Sequence, residues 1–149
     1  MSSPDPPPPQ ATNRTANVHV ENKTNDIFEV QILHKYTGDP IQDTNFERIM
    51  PGENKFMLKV NYRTGFLTTG VDNWKVNAVK FVESGEFNED GTKRYKKESW
   101  RIGHSVADDW KKHMLSGDDD GCKTTIYIRD DEVEFSSPSG TSKSKFYKE

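Results

Sequence analysis

Residues 56–78 read FMLKVNYRTGFLTTGVDNWKVNA. Before the loop, Phe56, Leu58, Val60 and Tyr62 alternate with Met57, Lys59 and Asn61, the period-two pattern of a strand with one apolar face. After it, Trp74, Val76 and Ala78 share a face, and the apolar phase then shifts to Val79 and Phe81, which predicts a bulge or a strand passing between two packed layers. The stretch therefore reads as strand, loop, strand. The loop carries Gly65 and Gly70, an apolar pair at Phe66–Leu67, and a carboxylate, Asp72, close to Trp74.

The same alternation recurs on either side. Val18 and Val20 alternate with polar neighbours. After the polar turn at residues 22–26, Phe28, Val30, Ile32, His34 and Tyr36 fall on one face, which predicts a hairpin. Pro51–Gly52 suits a tight turn, because proline presets the first central dihedral and glycine accepts a positive φ at the second. A further hairpin is expected there, from the short run at residues 46–50 into the strand at 56–62. Residues 83–97 are strongly polar and read as a long solvated loop or hairpin tip. Trp100 and Ile102 mark a short strand. Thr124, Ile126 and Ile128 begin another, which turns at Asp130–Asp131 into Val133 and Phe135.

One segment reads differently. Val106, Trp110 and Met114 recur every four residues, Ser105 and Asp108 match a capping box, and Gly117 follows. This predicts one amphipathic helix near residues 105–115. Many short strands, polar turns and one helix point to an all-β chain, an antiparallel β-sandwich. Residues 1–15 are expected to be a disordered proline-rich arm, with Pro6 to Pro9 favouring an extended conformation. Residues 16–135 form the sandwich domain, and 136–149 a Ser/Lys-rich tail whose Phe146 and Tyr147 could dock as an edge strand.

Composition narrows the function classes. Leu, Ile, Val and Phe supply 29 of 149 residues, near the level of about 20% below which chains tend to be disordered. All but Phe146 lie between Val18 and Phe135, so the core-forming residues are concentrated in the middle. A net charge of −3 gives no cationic footprint for nucleic acid and no polybasic membrane signal. No run approaches the roughly 20 apolar residues of a membrane span. The N-terminus lacks a basic region followed by an apolar one, so no secretory signal is read there. With a single cysteine, Cys122, the expectation is a soluble chain, cytoplasmic or otherwise intracellular. Two sequons, at Asn13 and Asn22, would matter only on a secretory route.

No catalytic constellation stands out. Cys122 could pair with His113 but lacks a recognisable sequence context. Asp108 and Asp109, adjacent on a helix, would point about 100° apart. Asp118, Asp119 and Asp120 invite a cation reading, yet lack the alternating ligand spacing of a calcium loop. His19, His34, His104 and His113 have no zinc-site spacing. No cofactor is implied. The candidates left for ligand contact are Tyr62, Phe66, Leu67, Asp72 and Trp74, where glycines would let backbone amides approach a small ligand, a glycan or a lipid headgroup.

Several ordered motifs carry a family resemblance: His34-Lys35-Tyr36, Pro51-Gly52-Glu53, the 62–74 segment, Lys111-Lys112-His113-Met114-Leu115, Lys123-Thr124-Thr125 and Ser139-Gly140-Thr141-Ser142. Together they resemble the small nematode and fungal proteins named for up-regulation in long-lived insulin-receptor mutants. The resemblance implies a stress- or development-associated role and brings no catalytic residues. Related sequences often carry a long apolar insertion before the Lys-Lys-His-Met motif, where this chain has only the polar 83–97 region. The functional expectation is a non-enzymatic binding protein. The alternatives are a membrane-lipid-binding, cytolysin-like sandwich, a lectin-like carbohydrate-binding module, and an enzyme using Cys122 or the histidines.

Overall fold

The computed structural model describes residues 11–65, 68–103 and 110–149. Its strands are β1 (Ala11–Asn22), β2 (Ile27–Tyr36), β3 (Gln42–Asp43), β4 (Glu47–Ile49), β5 (Asn54–Gly65), β6 (Asp72–Phe87), β7 (Lys93–Ile102), β8 (Lys111–Lys112), β9 (Lys123–Ile128), β10 (Glu132–Ser137) and β11 (Gly140–Lys148), with a short 3-10 turn at Gly117–Asp119. They form one sheet in the order β3-β2-β6-β7-β11-β10-β9-β1-β5, with β4 also on β2 and β8 on β6. Neighbours are antiparallel except β1 and β9, which run parallel. No helix among the described residues is long and apolar enough to cross a membrane.

The all-β expectation holds, but the two separate sheets of a sandwich are replaced by a single, nearly closed, barrel-like sheet. β11 makes the join. Residues 140–145 pair with β10, and Phe146 to Lys148 then pair with β7, so the strand passes from one half of the sheet to the other. The segment expected as a tail or edge strand is thus an interior strand, and Phe146 is buried. At the opposite end of the chain, β1 begins at Ala11, within the segment expected to be a disordered arm.

The ends of the sheet, β3 and β5, meet at a seam that one side chain bridges. Gln42 Nε2 donates to Lys59 O at 3.0 Å and Gln42 Oε1 accepts from Asn61 N at 3.0 Å, so the amide does what a neighbouring backbone would do. The same Oε1 lies 3.1 Å from His34 Nδ1. Gln42→Ala is expected to cost about 1–3 kcal/mol, because it leaves the buried His34 nitrogen without an acceptor and opens the seam. Denaturant unfolding measures the loss, and hydrogen exchange at Asn61 should quicken. A loss below about 0.5 kcal/mol would show that other contacts close the seam.

Alternation places the core correctly. Phe28, Val30, Ile32, His34 and Tyr36 of β2 are all buried, as are Val18 and Val20 of β1 and Trp74, Val76 and Ala78 of β6. They pack with Ile126, Ile128, Val133 and Phe135 from β9 and β10. Two phase details differ from expectation. β6 keeps an unbroken register with β2 through Phe81, so Val79 and Phe81 face outward. There the Arg48 guanidinium covers the Phe81 ring at 4.9 Å and Lys97 lies 5.6 Å from it. β6 is irregular only further along, where its register with β7 shifts between Glu83 and Phe87, and a bulge lies in β5: Val18 pairs with Leu58 but His19 with Phe56. Met57 is the extra residue. It turns inward against the core, and Phe56 is left 52% exposed.

The expected β1–β2 and β4–β5 hairpins do not form. β1 pairs with β5 and β9, and β4 pairs with β2. Residues 22–26 are a corner built on Asn22, whose Nδ2 donates to the carbonyls of Asp26 and Ile49 while its Oδ1 accepts from Thr24. Asn22 is fully buried, which removes its sequon from the surface. Residues 83–97 supply the ends of β6 and β7, a projecting hairpin with its tip at 88–92.

The expected helix also gives way. Residues 104–109, including its cap and Val106, lie outside the described residues, and 110–115 are not helical: Lys111 and Lys112 pair with Trp74 and Asn73 of β6. Backbone groups that an α-turn would use have long-range partners. His113 N donates to Asp72 O, Leu115 N to the Asp72 carboxylate, and His113 O accepts from Trp74 Nε1.

Candidate functional site

Strand alternation sends Tyr62 on β5 and Asp72 and Trp74 on β6 inward, and all three are buried. Phe66 and Leu67 lie outside the described residues. Tyr62 donates from its hydroxyl to Ser116 O at 2.8 Å. Burial, with the Asp119 and Asp120 carboxylates adding to it, pushes its phenol well above the ordinary tyrosine range. Asp72 Oδ1 lies 2.7 Å from His34 Nε2 and Oδ2 accepts from Leu115 N at 3.0 Å. Acceptor oxygens from Gln42 and Asp72 therefore face both nitrogens of the His34 ring. The Trp74 ring packs at a tilt against that ring, 4.5 Å between centroids, and against Phe135 at 5.7 Å.

The acidic run at residues 118–120 is divided between interior and surface. Asp119 is fully buried; its carboxylate accepts from Ser116 N, Ser139 N and Ser139 Oγ, tying the 3-10 turn to the β10–β11 connection. Asp120 accepts from Thr15 N and from Arg14 Nη1, each at 3.0 Å. The Thr15 amide first, and then Arg14, hold its carboxyl below the usual carboxylate range. Among the described residues, no group of three or more histidines, cysteines and carboxylates is placed to hold a metal.

His113 is engaged by serines rather than by Cys122: Nδ1 lies 2.7 Å from Ser142 Oγ and Nε2 2.8 Å from Ser137 Oγ. Desolvation lowers its pKa below the ordinary 6.5, with Asp119 and Asp72 opposing the shift. The unfolded chain therefore binds a proton at a pH where the folded one does not, so this contribution to stability is full above about pH 6.5 and is lost as the pH falls through the folded value. Thermal unfolding should show a melting temperature that drops on acidification below about pH 6.5, with the drop reduced in His113→Gln. An equal drop in both proteins would assign the effect to other groups.

An open cleft of about 380 Å3 lies against the paired ends of β1 and β5, where Asn13, Arg14 and Thr15 stand beside Arg63, Tyr62 and Asn61, and Asp39 and Asp120 complete its lining. Arg14 donates from Nε to Thr64 Oγ1 as well as to Asp120. Arg63 pairs with Asp39 at 3.1 Å, donates to Thr37 O, and lies 4.9 Å from the Tyr36 ring. Gly70 closes this corner, where a Cβ would collide with Tyr36. The Asn13 and Asn61 side chains are exposed, and neither has a hydrogen-bond partner among the described residues.

The sequence matches the family described as "Up-Regulated in long-lived daf-2" over residues 12–101 and 96–146. The chain belongs to this family. No curated protein matches it. In this member of the family the matched span begins within β1 and includes the residues that line the cleft. Of the sequence-derived candidates among the described residues, Tyr62 lines that cleft and Asp72 and Trp74 do not. Arg14 was legible: it continues, two residues earlier, the inward phase of Ala16, Val18 and Val20. Asp39 and Asp120 carried no such signal, because they reach the cleft from connections far apart in the chain.

Proposed function

We propose that the protein is a non-enzymatic, soluble binding module that takes a small polar ligand in the cleft against the paired ends of β1 and β5. The observation that carries this reading is the pair of exposed asparagine side chains, Asn13 and Asn61, without hydrogen-bond partners among the described residues, in a cleft that also holds two arginine–aspartate pairs. Such ion pairs limit the ordering that a ligand must impose. The size of the cleft falls within the range of about 300–1,000 Å3 common for small-molecule sites. Binding rather than catalysis is supported by His34, His113, Asp72 and Asp119, whose hydrogen bonds are satisfied within the fold.

Isotope-labelled protein titrated with a library of small polar compounds is expected to show saturable amide shifts clustered at residues 13–15 and 61–63. The double variant Asn13→Ala/Asn61→Ala should lose those shifts while keeping its stability within about 0.5 kcal/mol, as for exposed substitutions. Binding that maps to another face of the barrel would overturn the reading.

A further inference from the structure

The charge arrangement in the cleft selects among ligand classes. Arg14 and Arg63 are each committed to a carboxylate of the same cleft, Asp120 at 3.0 Å and Asp39 at 3.1 Å. An anion entering beside either arginine meets an aspartate already in place, and a cation entering beside either aspartate meets a guanidinium. An uncharged ligand meets neither conflict.

The pairs still leave hydrogen-bonding capacity. A carboxylate has about four lone-pair sites and a guanidinium five N–H donors. Among the described residues, Asp39 accepts from Arg63 Nη1 alone, and Arg14 uses Nε and Nη1. Asn13 and Asn61 add a donor and an acceptor each, side by side on a planar amide. A hydroxyl group both donates and accepts, so adjacent hydroxyls on one ring can take the two atoms of an amide together and the spare valences of the ion pairs. Bonds of that kind to charged groups are the stronger ones.

We infer that the ligand of this cleft is a neutral polyhydroxylated compound, a short saccharide, bound through Asn13 and Asn61 against the Arg14–Asp120 and Arg63–Asp39 pairs. The inference rests on the proposal that this cleft is the binding site. Affinity should be nearly independent of salt, because no net charge is neutralised on binding.

The test is a nuclear magnetic resonance titration of the whole chain with neutral mono- and disaccharides of glucose, galactose, mannose and N-acetylglucosamine, set beside sialic acid, glucose 6-phosphate, inorganic phosphate and spermidine. At least one neutral sugar should shift the amides of residues 13–15 and 61–63, with little change between low and high salt. Asn13→Ala and Asn61→Ala should each weaken that binding by about three- to tenfold, the loss of one or two hydrogen bonds. If the cleft responds to phosphate, sialic acid or spermidine and to no neutral sugar, the ligand class is wrong while the site stands. If no probe shifts the cleft, or neutral sugars shift only residues elsewhere, the site is wrong as well.

Discussion

Asp72→Ala is expected to destabilise the protein by about 2–5 kcal/mol, the effect of leaving two buried hydrogen-bonding groups without their partner. The expectation follows from how much converges on one carboxylate. Asp72 is fully buried, with one oxygen on His34 Nε2 and the other on Leu115 N. Removing it leaves two interior N–H groups without acceptors, on different segments of the chain. It also releases the residue 113–115 segment, which nothing helical holds in place. Asp72→Asn should fall between wild type and alanine, because both carboxylate oxygens accept and an amide supplies only one acceptor. Denaturant unfolding of the three proteins decides the matter. If alanine costs less than about 1 kcal/mol and ligand binding vanishes, Asp72 belongs to a site and not to the frame.

The residues around Asp72 show what was readable in the sequence. A period of two assigns each side chain to a face, and the faces of β2 and of β6 as far as Ala78 came out as read. It says nothing about which strand lies alongside. Residues 22–26 look like a hairpin turn because they are polar and rich in asparagine. They form a corner because the Asn22 amide reaches Asp26 and Ile49, a contact across 27 residues of chain. Over residues 110–115 the helix expectation failed for a related reason. The four-residue spacing of Val106, Trp110 and Met114 is local, whereas the hydrogen bonds that keep residues 113–115 extended come from Asp72 and Trp74, about 40 residues earlier. In β5 the alternation was real but interrupted, since a single bulged residue, Met57, sends Phe56 to the outside.

The site was less legible than the fold. Tyr62, Asp72 and Trp74 stood out because tryptophan, tyrosine and a carboxylate beside glycines suggest a binding loop, but the same residue types suit a hydrogen-bonded interior. The cleft depends instead on Asn13, Arg14, Asp39, Asn61, Arg63 and Asp120, which come from separate segments and meet only when β1 has paired with β5. Ordinary surface residues become a polar cleft through that pairing. Gly70 is the one loop glycine whose reason is plain: the Tyr36 ring occupies the space that a side chain would need.

Trp74→Ala should cost about 3–5 kcal/mol, as do other large-to-small changes at buried aromatic positions. The indole is fully buried and lies against His34 of β2, Phe135 of β10 and His113, so it spans the interior from one side of the barrel to the other. Its Nε1 donates to His113 O at 2.9 Å. Trp74→Phe separates the two contributions: it keeps most of the ring contact and loses the donor, so a loss of about 1–2 kcal/mol is expected for the orphaned carbonyl. Since Trp74 and Asp72 both bear on His34, the double alanine variant should lose less than the sum of the single losses, by about 0.5–3 kcal/mol. A strictly additive result would mean that the two residues hold separate parts of the barrel. Denaturant unfolding of the single and double variants measures that coupling. If Trp74→Ala leaves stability within about 1 kcal/mol of wild type, the indole is not a packing element and the ligand-contact reading of this position returns.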